Sequence, residues 1–165
     1  MAISKLKPRH VAAGKSVGRT LTERIDYGKN PDKTRDGLLV SSYQCSPDTA
    51  AEEFLVSKQI YEQLTGRSRP PGKDVISYLI IQSFKPGDIS PQLANEIGYK
   101  LAMEFTKGQH QFIVSTHEDR EHIHTHIEFN STTLDCTHKF DNYWNTSLAI
   151  QIINDRLCRE YGLSI

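Results

Sequence analysis

Residues 111–131 read QFIVSTHEDREHIHTHIEFNS, and this stretch decides the fold. Residues 111–116 and 123–131 are rich in β-branched and aromatic side chains, which predicts two strands. Only the short charged stretch 117–122 separates them. Two strands joined by so short a connection pair antiparallel. The segment therefore predicts an antiparallel pair within a larger sheet.

The rest of the chain alternates between strand and helix patterns. Ser46-Pro47 and Ser90-Pro91 are typical of a helix N-cap followed by proline at the first helical position. Further strands are predicted at residues 1–8, at the sheet edge, 37–43 and 75–84, and helices at residues 14–29, 46–66, 90–107 and 145–161. The order βαβαβαββα predicts a single α+β domain over residues 1–165, with helices flanking a mainly antiparallel central sheet.

The composition suits one globular domain. The 165 residues include 20 basic and 20 acidic side chains, and a net charge of zero argues against a protein that coats nucleic acid or an anionic membrane. No apolar run is long enough to span a bilayer, residues 1–10 hold no secretory signal, and the three cysteines form no CxxC pair. We therefore expect a cytoplasmic protein without membrane insertion.

The zero net charge hides an uneven distribution. Residues 1–35 carry nine basic and three acidic side chains, a net charge of +6, which leaves −6 for the rest of the chain. A second basic group, Arg67, Arg69 and Lys73, lies in a loop-like stretch with two prolines and a glycine. Two interpretations are open: a solvated charged face, or a phosphate-binding surface confined to one side of the molecule.

Four of the seven histidines lie within residues 117–126. Side chains alternate along a strand, so one polar face is predicted to hold His122, His124, His126, Glu128 and Asn130. With His117 across the connection, these imidazoles indicate a metal site, and three ligands with open positions are typical of a catalytic one. Neutral imidazoles suit Mn, Zn, Fe, Co or Ni better than Mg or Ca. The alternative is a polar strand that faces solvent. His110 and His138 are expected at the surface or in turns.

Three stretches together resemble a known family. Residues 117–130 contain His117-x-Asp119-x-x-His122-x-His124-x-His126-x-x-x-Asn130, residues 25–34 read IDYGKNPDKT, and residues 82–88 read QSFKPGD. They resemble the third motif, the first motif and the middle region of conjugative relaxases of the MOBP class, in the form found in Gram-positive elements. These relaxases are nicking enzymes of the HUH endonuclease superfamily. The resemblance covers nearly the whole chain.

The resemblance implies a relaxase-like fold with an RRM-like core and a metal-dependent nickase. In that family a tyrosine hydroxyl attacks the scissile phosphate and forms a 5′-phosphotyrosyl bond. Carried onto this sequence, the nucleophile is Tyr27 and the metal ligands are His117, His124 and His126, while His122 either replaces or supports a ligand. Asp119 or Glu121 would orient a ligand histidine. The divalent metal in use would be Mn or Mg, with Zn, Co or Ni as alternatives.

The resemblance also implies DNA as the partner, at an origin of transfer that is single-stranded at the nick, together with accessory relaxosome and coupling proteins. The expected DNA contacts are Arg19, Arg24, Lys29, Lys33, Arg67, Arg69 and Lys73. Tyr43 is a rival nucleophile, although its strand setting favours core packing.

Two other functions stay open: a rolling-circle replication initiator of the same superfamily, and a non-catalytic DNA- or metal-binding module. The tyrosine precedes the histidines here, as in relaxases, whereas many replication initiators have the reverse order. The family usually continues beyond a domain of this size, which leaves open a C-terminal continuation beyond residue 165.

Overall fold

A computed structural model describes residues 3–165 of the chain. Its elements follow the predicted order βαβαβαββα. The strands are β1 (Ile3–His10), β2 (Val40–Tyr43), β3 (Val75–Ser83), β4 (Phe112–His117) and β5 (His124–Asn130), and the helices are α1 (Val17–Gly28), α2 (Ala50–Thr65), α3 (Pro91–Thr106) and α4 (Thr146–Glu160). The predicted first strand included residues 1 and 2, which lie outside the described residues. Across residues 3–165, no helix combines the length and apolarity needed to cross a membrane.

The described strands form one sheet in the order β1-β3-β5-β4-β2. Every neighbouring pair is antiparallel, which confirms the α+β class. β1 lies at an edge of the sheet, as predicted. The histidine-rich strand β5 lies at its centre, between β3 and β4, and this position surrounds its side chains with neighbours on both sides.

Helices cover both faces of the sheet, and the alternation along β5 decides which side chain meets which layer. Ile127 and Phe129 belong to the core on the α3 and α4 side. His126 and Glu128 lie on the opposite face, beside Arg24 of α1. The two predicted faces of this strand are therefore confirmed.

The two Ser-Pro pairs behave differently. Ser90 caps α3 as predicted: its hydroxyl accepts a hydrogen bond from the Leu93 amide at 3.2 Å, and proline follows at the first helical position. The predicted start of α2 at Ser46 is wrong, because α2 begins at Ala50. The Ser46 hydroxyl instead accepts from the Asp48 amide at 3.4 Å within a turn.

Strand β2 is shorter than predicted because residues 30–39 form a compact series of turns. The Asp36 amide donates to the carbonyl of Pro31 at 2.9 Å. Arg35, Asp36 and Gly37 all have positive φ, at 52°, 54° and 86°. An extended strand requires negative φ, so pairing with β4 starts only at Val40. These turns connect the end of α1 to β2, which pairs with β4, the strand that ends at His117.

Candidate active site

The pairing of β4 with β5 places three of the predicted ligands on one face of the sheet. His117 pairs with His124, and Ser115 pairs with His126. Paired residues of antiparallel strands project to the same face, as do alternate residues of one strand. The rings of His117 and His126 stack with their centroids 4.3 Å apart. The structure therefore places His117, His124 and His126 on one face, as the sequence predicts.

Burial makes these three imidazoles poor bases. His117 is 5% exposed, and burial lowers its pKa. Burial also lowers the pKa of His124. Burial, followed by the nearby His117, lowers the pKa of His126 to about 3. The imidazoles are therefore neutral near pH 7, which is the form that binds a metal ion.

A hydrogen bond fixes the tautomer of His117. Its Nε2 lies 2.7 Å from the carbonyl oxygen of Gly28. A carbonyl can only accept, so Nε2 carries the proton and Nδ1 of the neutral ring keeps its lone pair. A metal-bound histidine usually donates its other N–H to a carbonyl or carboxylate in this way. The donor set therefore fits a divalent transition metal.

The remaining predicted ligands lie apart from these three. His122 is exposed, with its ring centroid 6.2 Å from that of His124. Asp119 and Glu121 are exposed on the connection between β4 and β5. The charge of Asp119 acts to raise the pKa of His117, but burial, the largest influence, lowers it. Within residues 3–165, no three His, Cys, Asp or Glu side chains converge into a ready-made metal cluster.

Tyr27 lies in the last turn of α1, and its side chain is 59% exposed. The next residue is Gly28, whose carbonyl binds His117. The ammonium of Lys33 lies 4.7 Å from the centroid of the Tyr27 ring. The rival Tyr43 is committed to the core, where it stacks on Phe112 and donates to the carbonyl of Gly108 at 3.0 Å. Tyr27 is thus the accessible tyrosine next to the histidines.

The turn after Tyr27 is locked to the connection after β4. Arg35 forms a two-pronged ion pair with Glu118, whose amide also donates to the carbonyl of Lys33 at 3.0 Å. Sequence reasoning missed this pair and the Gly28 carbonyl, because residues 83 or 89 positions apart in the chain give no local signal. Together they hold the helix end that bears Tyr27 against the histidine strands.

A buried carboxylate lies below His126. Glu128 accepts from Arg9 at 3.3 Å and from Ser77 at 2.8 Å. Burial raises the pKa of Glu128, while Arg9, Ser77 and Arg24 act in the opposite direction. The buried Nη1 of Arg24 has no hydrogen-bond partner within residues 3–165. The sequence placed Glu128 on the polar face correctly but gave no sign of its burial.

The predicted DNA-binding residues do not form one surface. Arg24 and Lys33 lie close to Tyr27 or His126. The Lys29 ammonium donates to the carbonyl of Pro47 and lies 3.8 Å from Asp26, so the protein itself engages it.

The other four basic residues lie elsewhere. Arg19 pairs with Glu23 near the start of α1. Arg67, Arg69 and Lys73 lie in the loop before Val75, the first residue of β3. Ser83, at the other end of β3, is the residue that pairs with His124. At about 3.3 Å per residue, this loop lies roughly 25 Å from the histidine end of the sheet.

One of the two outlying histidines departs from expectation. His110 lies in a bend but is only 4% exposed, and its Nδ1 lies 2.7 Å from the carbonyl oxygen of Asn130. His138 is exposed, as expected.

Comparisons with known proteins point to one family. A family model described as "Relaxase: MobA/VirD2-like, nuclease domain" matches residues 27–163. The group II intron-interrupted relaxase LtrB of Lactococcus lactis subsp. cremoris is 33% identical over 176 residues, which cover 88% of this chain and 31% of that protein. Two proteins named rlx from Staphylococcus aureus are 30% and 33% identical over 147 and 150 residues, covering 89% and 91% of this chain. The chain spans 31% to 42% of the length of these relatives.

Proposed function

Because the chain belongs to the relaxase family, through its MobA/VirD2-like nuclease domain, we propose that it nicks and rejoins one DNA strand at an origin of transfer, and so starts conjugative transfer or mobilisation. The observation that carries the proposal is the hydrogen bond from His117 to the Gly28 carbonyl. It connects a histidine of the candidate metal site to the residue that follows Tyr27.

In the proposed reaction, the hydroxyl oxygen of Tyr27 attacks the scissile phosphorus. An oxygen–phosphorus bond to the tyrosine forms, the bond from phosphorus to the 3′ oxygen breaks, and the phenol proton ends on that 3′ oxygen. A tyrosine hydroxyl is a poor nucleophile at neutral pH, so it needs positive charge nearby. Lys33 supplies one such charge at the ring. The phosphotyrosyl bond conserves the phosphodiester energy, and the 3′-hydroxyl can reverse the reaction without a nucleotide triphosphate.

His117, His124 and His126 would hold a divalent metal ion, which the relaxase nuclease family generally requires. When bound, the ion would polarise a phosphoryl oxygen of the scissile group. The buried His117 and the half-buried His124 and His126 supply neutral imidazole donors, and the Gly28 carbonyl keeps Nδ1 of His117 available. We propose Mn or Mg as the metal in use, with Zn, Co or Ni as alternatives. His122, Asp119 and Glu121 are exposed on the connection between β4 and β5, from which they would support the site rather than bind the metal directly.

The proposed partner is origin DNA that is single-stranded at the nick, with accessory relaxosome and coupling proteins in the cytoplasm. Arg24 and Lys33 are the nearest candidates for phosphate contacts, by their position beside His126 and Tyr27. Arg19, Arg67, Arg69 and Lys73 would contact DNA farther from the nick, and Lys29 would have to leave its present partners to do so.

The test is covalent attachment to DNA. The protein is incubated with Mn²⁺ and a supercoiled plasmid that carries the noncoding DNA flanking its gene, and the products are run in denaturing gels with and without protease. We expect a protease-sensitive DNA adduct with the wild-type protein and with Tyr143→Phe, which changes another exposed tyrosine. Tyr27→Phe is expected to form none while it still binds single-stranded DNA.

Other outcomes lead to other assignments. An adduct that survives Tyr27→Phe would overturn the role of Tyr27. Salt-dependent DNA binding without any adduct, for wild-type protein on that plasmid and on the matching single strands, would favour a non-catalytic binding module. Adduct formation at a replication origin instead of a transfer origin would favour the rolling-circle initiator.

A further inference from the structure

The edge strand β1 carries two lysines on the same face of the sheet as His126. Lys5 pairs with Ile81 of β3, and Ile81 in turn pairs with His126 of β5. Directly paired residues of antiparallel strands project to the same face, so these three side chains form one row across the sheet. Neighbouring strands lie about 4.8 Å apart, and β3 lies between β1 and β5, so the Cα atoms of Lys5 and His126 are about 10 Å apart. Lys7 occupies the next row, level with Glu128.

Contacts of the neighbouring β1 residues confirm this orientation. Arg9, two positions after Lys7, reaches Glu128 on the α1 side of the sheet. Leu6, between the two lysines, packs into the core on the α3 and α4 side. Lys5 and Lys7 must therefore project to the side of the candidate active site.

This part of the sheet is open. Lys5 and Lys7 are exposed, and neither forms a hydrogen bond or ion pair of its side chain with any residue that the structure describes. Ile81, which lies between Lys5 and His126, is half-buried and belongs to neither core cluster. The edge of the sheet beside His126 and Glu128 thus carries two exposed cations that have no counter-ion among residues 3–165.

The spacing of the two lysines suits a nucleic-acid backbone. Alternate residues of a strand are about 6.8 Å apart, which is far enough for the two ammonium groups to meet different phosphates of one extended DNA strand. We propose that Lys5 and Lys7 bind successive phosphates of the single-stranded DNA next to the nick and lead that strand across the edge of the sheet. The inference rests on the proposed function, since it places Lys5 and Lys7 beside a DNA-cleaving site.

Edge protection is the competing explanation. A strand at the edge of a sheet can pair with another chain, and lysines on that strand discourage such pairing. This role requires only that the lysines be charged and exposed. It predicts no effect on the affinity for DNA, and that difference separates the two explanations.

The experiment measures how binding depends on salt. Lys5→Gln/Lys7→Gln is compared with wild-type protein by fluorescence anisotropy, with a labelled single-stranded oligonucleotide of mixed sequence at several salt concentrations. Each phosphate contact on a single strand contributes about 0.7 to the slope of log K against log salt. We expect the slope to fall by about 1.4, which weakens binding about 25-fold at 0.1 M relative to 1 M salt. Lys100→Gln/Lys107→Gln, which removes two exposed charges from α3 and its C-cap, should leave the slope unchanged.

Further variants and readouts keep the test decisive. Lys5→Arg/Lys7→Arg keeps both charges and should retain the wild-type slope, and a far-UV circular dichroism melt checks that each variant folds. An unchanged slope in the glutamine variant overturns the proposal, and self-association of that variant in sedimentation would then assign the lysines to edge protection. The adduct assay tests the nickase separately. A lysine-dependent slope without an adduct would overturn the proposed nickase function alone. An adduct with an unchanged slope would overturn only the proposed role of Lys5 and Lys7.

Discussion

Gly98 is the position where a single methyl group should disturb both the core and the active site. It lies within α3, facing β4 and β5. A Cβ built there would lie 2.6 Å from Thr125 Cγ2 and 3.0 Å from Val114 Cγ1. Thr125 and Val114 are fully buried, and β-branched side chains have little rotational freedom with which to move aside. Gly98→Ala therefore requires α3 and the sheet to separate.

Two effects of opposite sign decide how far Gly98→Ala changes the free energy of unfolding. Alanine in a helix interior is favoured over glycine by about 1 kcal/mol. Carbon atoms normally meet at about 3.5–4.0 Å, so the contact to Thr125 is about 1 Å too short. Overpacking of this kind costs about 1–3 kcal/mol, and rigid neighbours favour the upper part of that range. We expect a net loss of about 1–2 kcal/mol, which lowers the Tm of a domain of this size by about 2–8 °C.

The assay is thermal and urea unfolding followed by far-UV circular dichroism, with Gly18→Ala as the matched control. The Cβ at Gly18 would meet only the mobile end of Leu55, at 3.2 Å, so this variant should be as stable as wild-type protein or slightly more stable. Because Thr125 lies between two candidate metal ligands, Gly98→Ala should also weaken Mn²⁺ binding in calorimetry. A Gly98→Ala protein as stable as wild-type would refute the packing argument.

Two further predictions concern buried ion pairs. Burial acts to raise the pKa of Asp74, but hydrogen bonds from Lys139 and Lys58 outweigh it, so the pKa is lowered. The ionised carboxylate therefore stabilises the fold above pH about 4. This stabilisation is lost as the pH falls through the lowered pKa. Asp74→Asn should therefore cost about 1–3 kcal/mol at pH 7, with the difference from wild-type shrinking toward pH 2 in urea titrations; a constant difference would contradict this. Glu128→Gln should lower the free energy of unfolding by about 2–3 kcal/mol, because it leaves the charge of Arg9 unpaired. The double change Arg9→Met/Glu128→Leu should lower it by less than the sum of the losses from the two single changes. Additive losses in that unfolding cycle would show that the pair does not interact.

The sequence predicted the features that depend on local pattern. The alternation of residues 122–130 identified two faces of β5, and the structure places Ile127 on one and His126 on the other. The Ser90-Pro91 pair identified the start of α3 because the cap is made within one helical turn. Ser46-Pro47 carries the same signal, but there the serine side chain caps a turn, since Glu53 of α2 binds the Ser46 amide instead.

Features that depend on distant partners were not predictable. The burial of His110 follows from the Phe129 and Phe140 rings that pack against it, and neither ring is a neighbour in sequence. The positive φ of Arg35 has no local signal in the sequence, since arginine does not favour that conformation. That conformation nevertheless places Arg35 where it can bind Glu118.

The contacts that join the two halves of the candidate site involve the backbone more than the reacting side chains. His117 binds the carbonyl of Gly28, and the Glu118 amide binds the carbonyl of Lys33. Both bonds hold the segment that contains Tyr27 without using the tyrosine hydroxyl. Removal of that hydroxyl should therefore leave the position of the helix end and the stability of the domain unchanged. Loss of activity in Tyr27→Phe then reports on chemistry, whereas a change at His117 alters both the donor set and the position of the tyrosine.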